Sequence, residues 1–511
     1  MKSKFLILFA AAGLLFTATS CKDYLDVNHS MSAIEKLDAQ RALPSAQIVI
    51  ANQLMGWDMG IGSAVWVQYW TQHYTSSQFK ALCSYSEFEW GTAYRDLCAG
   101  ALADLGFIQR ETADDKDNQG LWYIAEALSI YTWQVITDVW GDMPYFEAIK
   151  GNEGLVHPKF DTQESIYADL MVRIDNLVKM DISKMVVDPK FDFVFAGDMP
   201  QWQRFCNSLK LKLMLRLSET PGFDIAALAT FVDDAIGKDL LLLDKNAEIA
   251  GTTWNPKEVS KKHPLHEVES DGAGFISTNV IACKSFTDFL MQENDPRIDK
   301  FFDGTLGAFA GDYDSKGDSD GNGKNDKDES WAKVKYSTLE TLPIPFISAW
   351  QMNFDVAEVL VRAGRTAEAQ AYYEAGVKAS CAAWGVDASA MLSSTDPKAK
   401  TPWKAEEASE RIGLQRWVAF AYLQNLEAFL ERNRTKFPTV NEIDVELNRQ
   451  DAWTNFPVGQ LTISVQGRAK LGGELPHSLL YPQTLRTRNN NAIPQKKNIG
   501  VKVWWDKKSG L

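Results

Sequence analysis

The stretch Val361-Arg-Ala-Gly364-Arg-Thr-Ala-Glu-Ala369-Gln-Ala-Tyr372-Tyr373-Glu-Ala375 decides the fold class. It lies within residues 354–381 and reads as two helices joined by a tight turn. Gly364 ends the first helix, because only glycine enters the left-handed region without steric cost. Ala369 lets the second helix approach its neighbour closely, and Tyr372 with Tyr373 packs the next layer.

Helical patterns continue on both sides of this pair. Residues 119–140 carry Trp122, Ala125, Leu128, Trp133, Ile136 and Trp140 at helical spacing, with Ile124, Ile130 and Val135 on the other faces. A helix apolar nearly all round belongs in the middle of a large core. Gly141 and Pro144 stop it. Residues 162–179 start at Thr162 as N-cap and repeat Ile166, Leu170, Ile174 and Leu177. Residues 200–218 start at Pro200, and residues 411–432 form one more helix, through Trp417, Phe420 and Phe429. Strand signals are few and short, at Leu461–Val465 and Gly500–Trp504. The pair at 354–381 resembles a tetratricopeptide unit, but no 34-residue period runs through the chain. The expected fold is mainly α, with degenerate tetratricopeptide-like repeats and long irregular loops at 251–280 and 303–345. Long loops in a compact chain are usually functional.

The chain opens on Lys2, Lys4 and a 12-residue apolar run from Phe5 to Phe16, then Thr17, Ala18, Thr19, Ser20 and Cys21. This is the pattern of an export signal, too short to span a bilayer. Small residues before a cysteine resemble a bacterial lipobox, which makes residues 1–20 a signal peptide and Cys21 the lipidated first residue of the mature protein. The rest, residues 21–511, reads as a single domain anchored to the membrane through lipid only. The formal charge of −14 argues against nucleic acid and against docking to anionic lipid. The other cysteines form no CxxC pair, and an exported chain leaves a Cys83–Cys98 disulfide open.

Two segments carry chemistry. Residues 57–94 hold ten aromatic residues, a density well above the 11% of the whole chain. Sugars stack their C–H faces on aromatic rings and use a few polar groups for their hydroxyls. Trp66, Trp70 and Tyr74 fall at i, i+4 and i+8, which serves either a core face or a platform. Tyr74, Phe79 and Tyr85 lie near a serine-rich loop and are the better surface candidates, with Trp254 and Trp331 in other loops. The second segment runs from Asp318 to Glu329 and fits D-x-[DN]-x-[DN]-G-x5-E at every specified position. Asp318, Asp320, Asn322, Asp326 and Glu329 supply side-chain oxygens, Lys324 a backbone carbonyl, and Gly323 the turn, a set suited to a structural Ca²⁺. Neither flank is an amphipathic helix, so this reads as a lone calcium loop. His263 and His266 lack the spacing of a zinc helix, and no nucleophile elbow or phosphate loop occurs.

Blocks spread over the chain resemble one family. They are Leu121-Trp-Tyr-Ile-Ala-Glu-Ala127 through Gly141-Asp142-Met-Pro144-Tyr145; Phe160-Asp161 with Ile166-Tyr167-Ala-Asp169-Leu170; Gly197-Asp198 with Trp202, Asn207-Ser208-Leu209 and Arg216; Asp295-Pro296-Arg297; Gln415-Arg416-Trp417; Glu427-Ala428-Phe429 to Arg434-Thr435; and Tyr481-Pro482. In this order, after a lipobox, they resemble the SusD/RagB family of outer-membrane lipoproteins. Asn433 and Lys436 depart from the family's usual residues there. The resemblance implies a cell-surface protein without catalytic activity. It implies binding of oligosaccharides and delivery to a partner TonB-dependent, SusC-like transporter barrel. Oligopeptide capture by the same architecture is the alternative, and a surface glycoside hydrolase a more distant one.

Overall fold

A computed structural model describes residues 38–271 and 274–510. The export signal and Cys21 lie outside the described residues. Among the described residues, ten helices have ten residues or more: α1 (Ala39–Met55), α2 (Ala103–Thr112), α3 (Gln119–Trp140), α4 (Gln163–Leu177), α5 (Met199–Arg216), α6 (Ile225–Gly237), α7 (Ala349–Arg362), α8 (Thr366–Ala383), α9 (Ala408–Phe420) and α10 (Asn425–Thr435). The mainly α architecture with few short strands is as the sequence implies.

Local chemistry sets the helix ends. Thr162 caps α4 by accepting the Ser165 N–H at 3.2 Å, and Asp198 caps α5 through Gln201 at 3.3 Å. Helix α3 is buried along almost its whole length and stops at Gly141, whose φ is 79°. Helices α7 and α8 are the expected pair, turned at Gly364 with φ 77°. Ala369 and Tyr373 are buried between them. A Cβ at Gly376 would meet the Phe354 ring at 2.9 Å, so the close approach needs glycine there.

Three expectations fail. The segment 251–280 is not irregular throughout but holds helices at Pro264–Asp271 and Phe275–Asn279. The single helix over 411–432 is two, α9 and α10, broken at 421–424. Tyr422 takes φ 69° there, and its N–H is held by Asn425 Oδ1 at 2.8 Å. Gly500–Trp504 forms no strand.

A buried ionic cluster ties five helices together. Arg434 in α10 donates to both oxygens of Glu358 in α7, at 2.7 and 2.6 Å, and to Glu431 at 2.6 Å. Arg416 in α9 reaches Glu358, Glu431 and Asp355. Arg216 in α5 reaches Glu431, Glu427 and, from α3, Asp138. Burial raises a carboxyl pKa, but beside Glu358 the charges of Arg434 and Arg416 outweigh it and hold that group well below the usual carboxylate range. At Asp355 burial wins over Arg416 and pushes the carboxyl up.

The strands position the loops. A four-stranded antiparallel sheet runs in the order β1 (Trp70–Gln72), β2 (Val280–Ala282), β4 (Lys333–Val334), β3 (Phe302–Asp303). Trp70 pairs with Ala282, and Ile281 with Lys333. It therefore ties the aromatic-rich segment to the segments on either side of residues 280–303 and to the loop before Lys333.

Candidate functional site

Helix α1 ends at Gly56, where a Cβ would strike the Asn52 carbonyl oxygen at 2.5 Å. A wide π-type turn, Trp57–Ile61, follows, a local irregularity common at functional sites. It presents Trp57, 41% exposed, on a cleft of ≈ 530 Å³. The Trp57 ring rests on Phe79, centroids 5.4 Å apart, and meets Phe275 edge-on at 5.6 Å. Asn52, Gln53, Asp58, Thr92 and Glu267 supply polar groups around it. The Asp58 carboxyl is raised by burial, with Asp96 and Glu89 adding to it against the Ala93 N–H bond.

The segment 73–80 leads from this cleft to a second aromatic group. It is pinned by His73 N–H to Asn279 O at 2.7 Å, Gln78 N–H to Asn279 Oδ1 at 2.9 Å and Lys80 to Asp314 at 2.8 Å. Tyr74 stacks on Trp331 at 5.3 Å and 14°, and Trp331 meets Trp453 at 6.1 Å. The Tyr74 hydroxyl donates to Asp312 at 3.4 Å, and Arg449 pairs with the same carboxylate. Burial pushes the Asp312 carboxyl up to about 6 despite Arg449.

Of the aromatic candidates, Tyr74 and Trp331 are brought together, and Phe79 supports Trp57 from beneath. The expected exposure is corrected for the rest. Trp66 ends a short helix and Trp70 lies in β1, so Trp66, Trp70 and Tyr74 share no helical face. Trp70 is buried against Tyr422. Tyr85 lies under Gly467, where a Cβ would meet its ring at 2.3 Å. Trp254 is buried against His263. Phe79 and Trp331 are also buried, Trp331 at 5% exposure, so neither offers a full face. Cys83 and Cys98 are free thiols. Trp57, Phe275, Asp312, Arg449 and Trp453 were not singled out for the site. The only local signal was Trp57 standing directly after a helix-stopping glycine.

In the acidic loop, the Asp318 carboxylate accepts the N–H groups of Asn322 and Gly323, at 3.1 and 2.8 Å. The Asn322 amide donates to Asp320 at 2.8 Å and to Glu329 at 2.9 Å. Asp318, Asp320, Asn322 and Glu329 thus converge. Burial raises the Asp320 carboxyl, and Asp318 and Glu329 add to the rise. Asp326 departs from the set: its carboxylate is taken by Ser315 and Ser319. Among the described residues no group of three His, Cys, Asp or Glu closes around a metal position. The Asn322 side-chain amide bridges Asp320 and Glu329, and the Lys324 ammonium lies 4.0 Å from Glu329. The hard-oxygen donors fit Ca²⁺ in kind.

The family model described as SusD-like, "Starch-binding associating with outer membrane", matches residues 32–456. The chain belongs to the SusD-like family. Similar solved structures include a SusD/RagB family protein from Bacteroides thetaiotaomicron, with 18% identity and a TM-score of 0.69, covering 93% of this chain and 100% of that one. A chitin-binding SusD homologue from Flavobacterium johnsoniae has 18% identity and a TM-score of 0.68, covering 92% and 98%. A chitin-binding protein has 20% identity and a TM-score of 0.65, covering 92% and 100%. No match is found among curated proteins. The SusD-like chain has no helix, among its described residues, long and apolar enough to cross a membrane.

Proposed function

We propose that this SusD-like chain is a lipid-anchored cell-surface protein that binds oligosaccharides, without catalysing their breakdown, and passes them to a TonB-dependent transporter. The observation that carries the reading is the half-exposed Trp57 ring, braced by Phe79 and Phe275 in a cleft rimmed by amides and carboxylates. A pyranose face stacks on such a ring while its hydroxyls meet the rim. Family membership and the two chitin-binding neighbours support a glycan as ligand. The half-buried edge of Tyr74, beside Trp331 and Trp453, extends the surface.

In the same reading Ca²⁺ is held by Asp318, Asp320, Asn322, the Lys324 carbonyl and Glu329, with Asp326 keeping the loop folded from behind. When bound, the ion neutralises the gathered carboxylates and orders the loop next to Trp331.

The test is a titration of the protein against glycan and peptide arrays. Binding of one glycan class, lost in Trp57→Ala, supports the reading. Peptide binding alone, or shortening of the bound glycan, overturns it.

A further inference from the structure

A second groove, of ≈ 420 Å³, lies between α2, α3, α4 and the segment after α3, and shares no lining residue with the Trp57 cleft. Its aromatic wall is a ladder of edge-to-face rings. Trp133 meets Tyr145 at 5.0 Å and 77°, and Tyr145 meets Phe146 at 4.9 Å and 79°. Phe146 is 46% exposed. A polar row runs beside the ladder. Glu126, nine-tenths buried, accepts two bonds from Arg173 at 2.7 and 2.8 Å and one from Gln109. Arg173 also donates to the Tyr145 hydroxyl at 2.7 Å and to Ser129 at 3.0 Å. Among the described residues, one N–H of Arg173 Nη1 and the Gln109 carbonyl oxygen take no hydrogen bond. The groove is bounded by Ile149 at φ 58°, a costly conformation for a β-branched residue. Strain of this kind persists where the surroundings over-determine it, often at ligand sites.

We propose that this groove is a second saccharide subsite. The assignment rests on the glycan-binding reading above. Arg173 and Glu126 pair with each other on the floor, with Arg110, Lys150 and Glu153 also in the lining; a sugar hydroxyl both donates and accepts and so matches a spare N–H beside a spare carbonyl. The rings supply the apolar wall a pyranose needs. A glycan, or two short ones, can then occupy both places.

The experiment is calorimetric titration of the full chain with chitohexaose, maltohexaose, xylohexaose and mannohexaose, and with the trisaccharide of whichever binds. Two trisaccharides per chain are expected for the wild type and one for Phe146→Ala, with that variant's melting temperature unchanged because the ring is half outside. Arg173→Lys, which keeps the charge but loses the fork, should weaken the same site about tenfold. One trisaccharide per chain, lost in Trp57→Ala and unaffected by Phe146→Ala, overturns the groove and leaves the cleft intact. One lost in Phe146→Ala and unaffected by Trp57→Ala keeps the groove and overturns the cleft.

Discussion

Trp331 donates its indole N–H to the carbonyl oxygen of Asp326 across 2.7 Å. The acidic loop and the aromatic stack therefore share a fixed point. Anything that orders residues 318–329 also orders the ring on which Tyr74 lies.

Calcium should stabilise the fold. A ligand bound only by the native state at a hundredfold excess over its Kd adds about 2.7 kcal/mol. Melting temperature should rise with free Ca²⁺, and the rise should vanish when Asp318 and Glu329 are both replaced by Ala. Identical melting curves in calcium and in chelator would refute the site.

Trp57 and Trp331 should behave oppositely. Trp57→Ala removes an exposed anchor and should weaken glycan binding by about 1–3 kcal/mol with little change in melting. Trp331→Ala empties a packed position and should cost about 3–5 kcal/mol of stability. Paired titration and denaturation of the two variants separates them.

Asp312 should make stability pH-dependent. Its folded-state pKa, about 6, lies above the ordinary carboxylate value near 4. The native state thus holds the proton more tightly than the unfolded chain. Its contribution is fully present below about pH 4 and is lost as pH rises through about 6, a swing on the order of 2–3 kcal/mol. Denaturant titrations between pH 4 and 7 should show the wild type losing stability relative to Asp312→Asn over that window. A constant difference between the two would count against it.

Arg434→Met should be severely destabilising, by about 3–5 kcal/mol, because it takes one of three arginines from each of the buried carboxylates Glu358 and Glu431. Chemical denaturation at neutral pH measures it. A change below about 1 kcal/mol would mean that water enters the cluster.

Helix α3 was legible to the residue, because its apolar surface and Gly141 are both local signals. So was the turn at Gly364. The break between α9 and α10 was not, since Tyr422 in a left-handed conformation is stabilised by Asn425 and not announced by a glycine. The aromatic density of 57–94 located the region of the candidate site but not its faces. Burial of Trp70 is decided by Tyr422 and that of Tyr85 by Gly467, both from the far end of the chain. Trp453 and Arg449 join Tyr74 through contacts that no spacing rule contains. The calcium pattern was readable as a pattern, but the turning away of Asp326 depends on Ser315 and Ser319.

The shared carboxylates of the buried ionic cluster bear on how such a protein can change over generations. Glu431 accepts from three arginines and Glu358 from three. Removing one arginine shifts the charge balance of a carboxylate that other helices share, so substitutions in these helices are coupled to one another. The turns carrying Trp57, Tyr74 and Phe146 answer to no such constraint. The scaffold is thereby constrained while its ligand preference can be rewritten one substitution at a time.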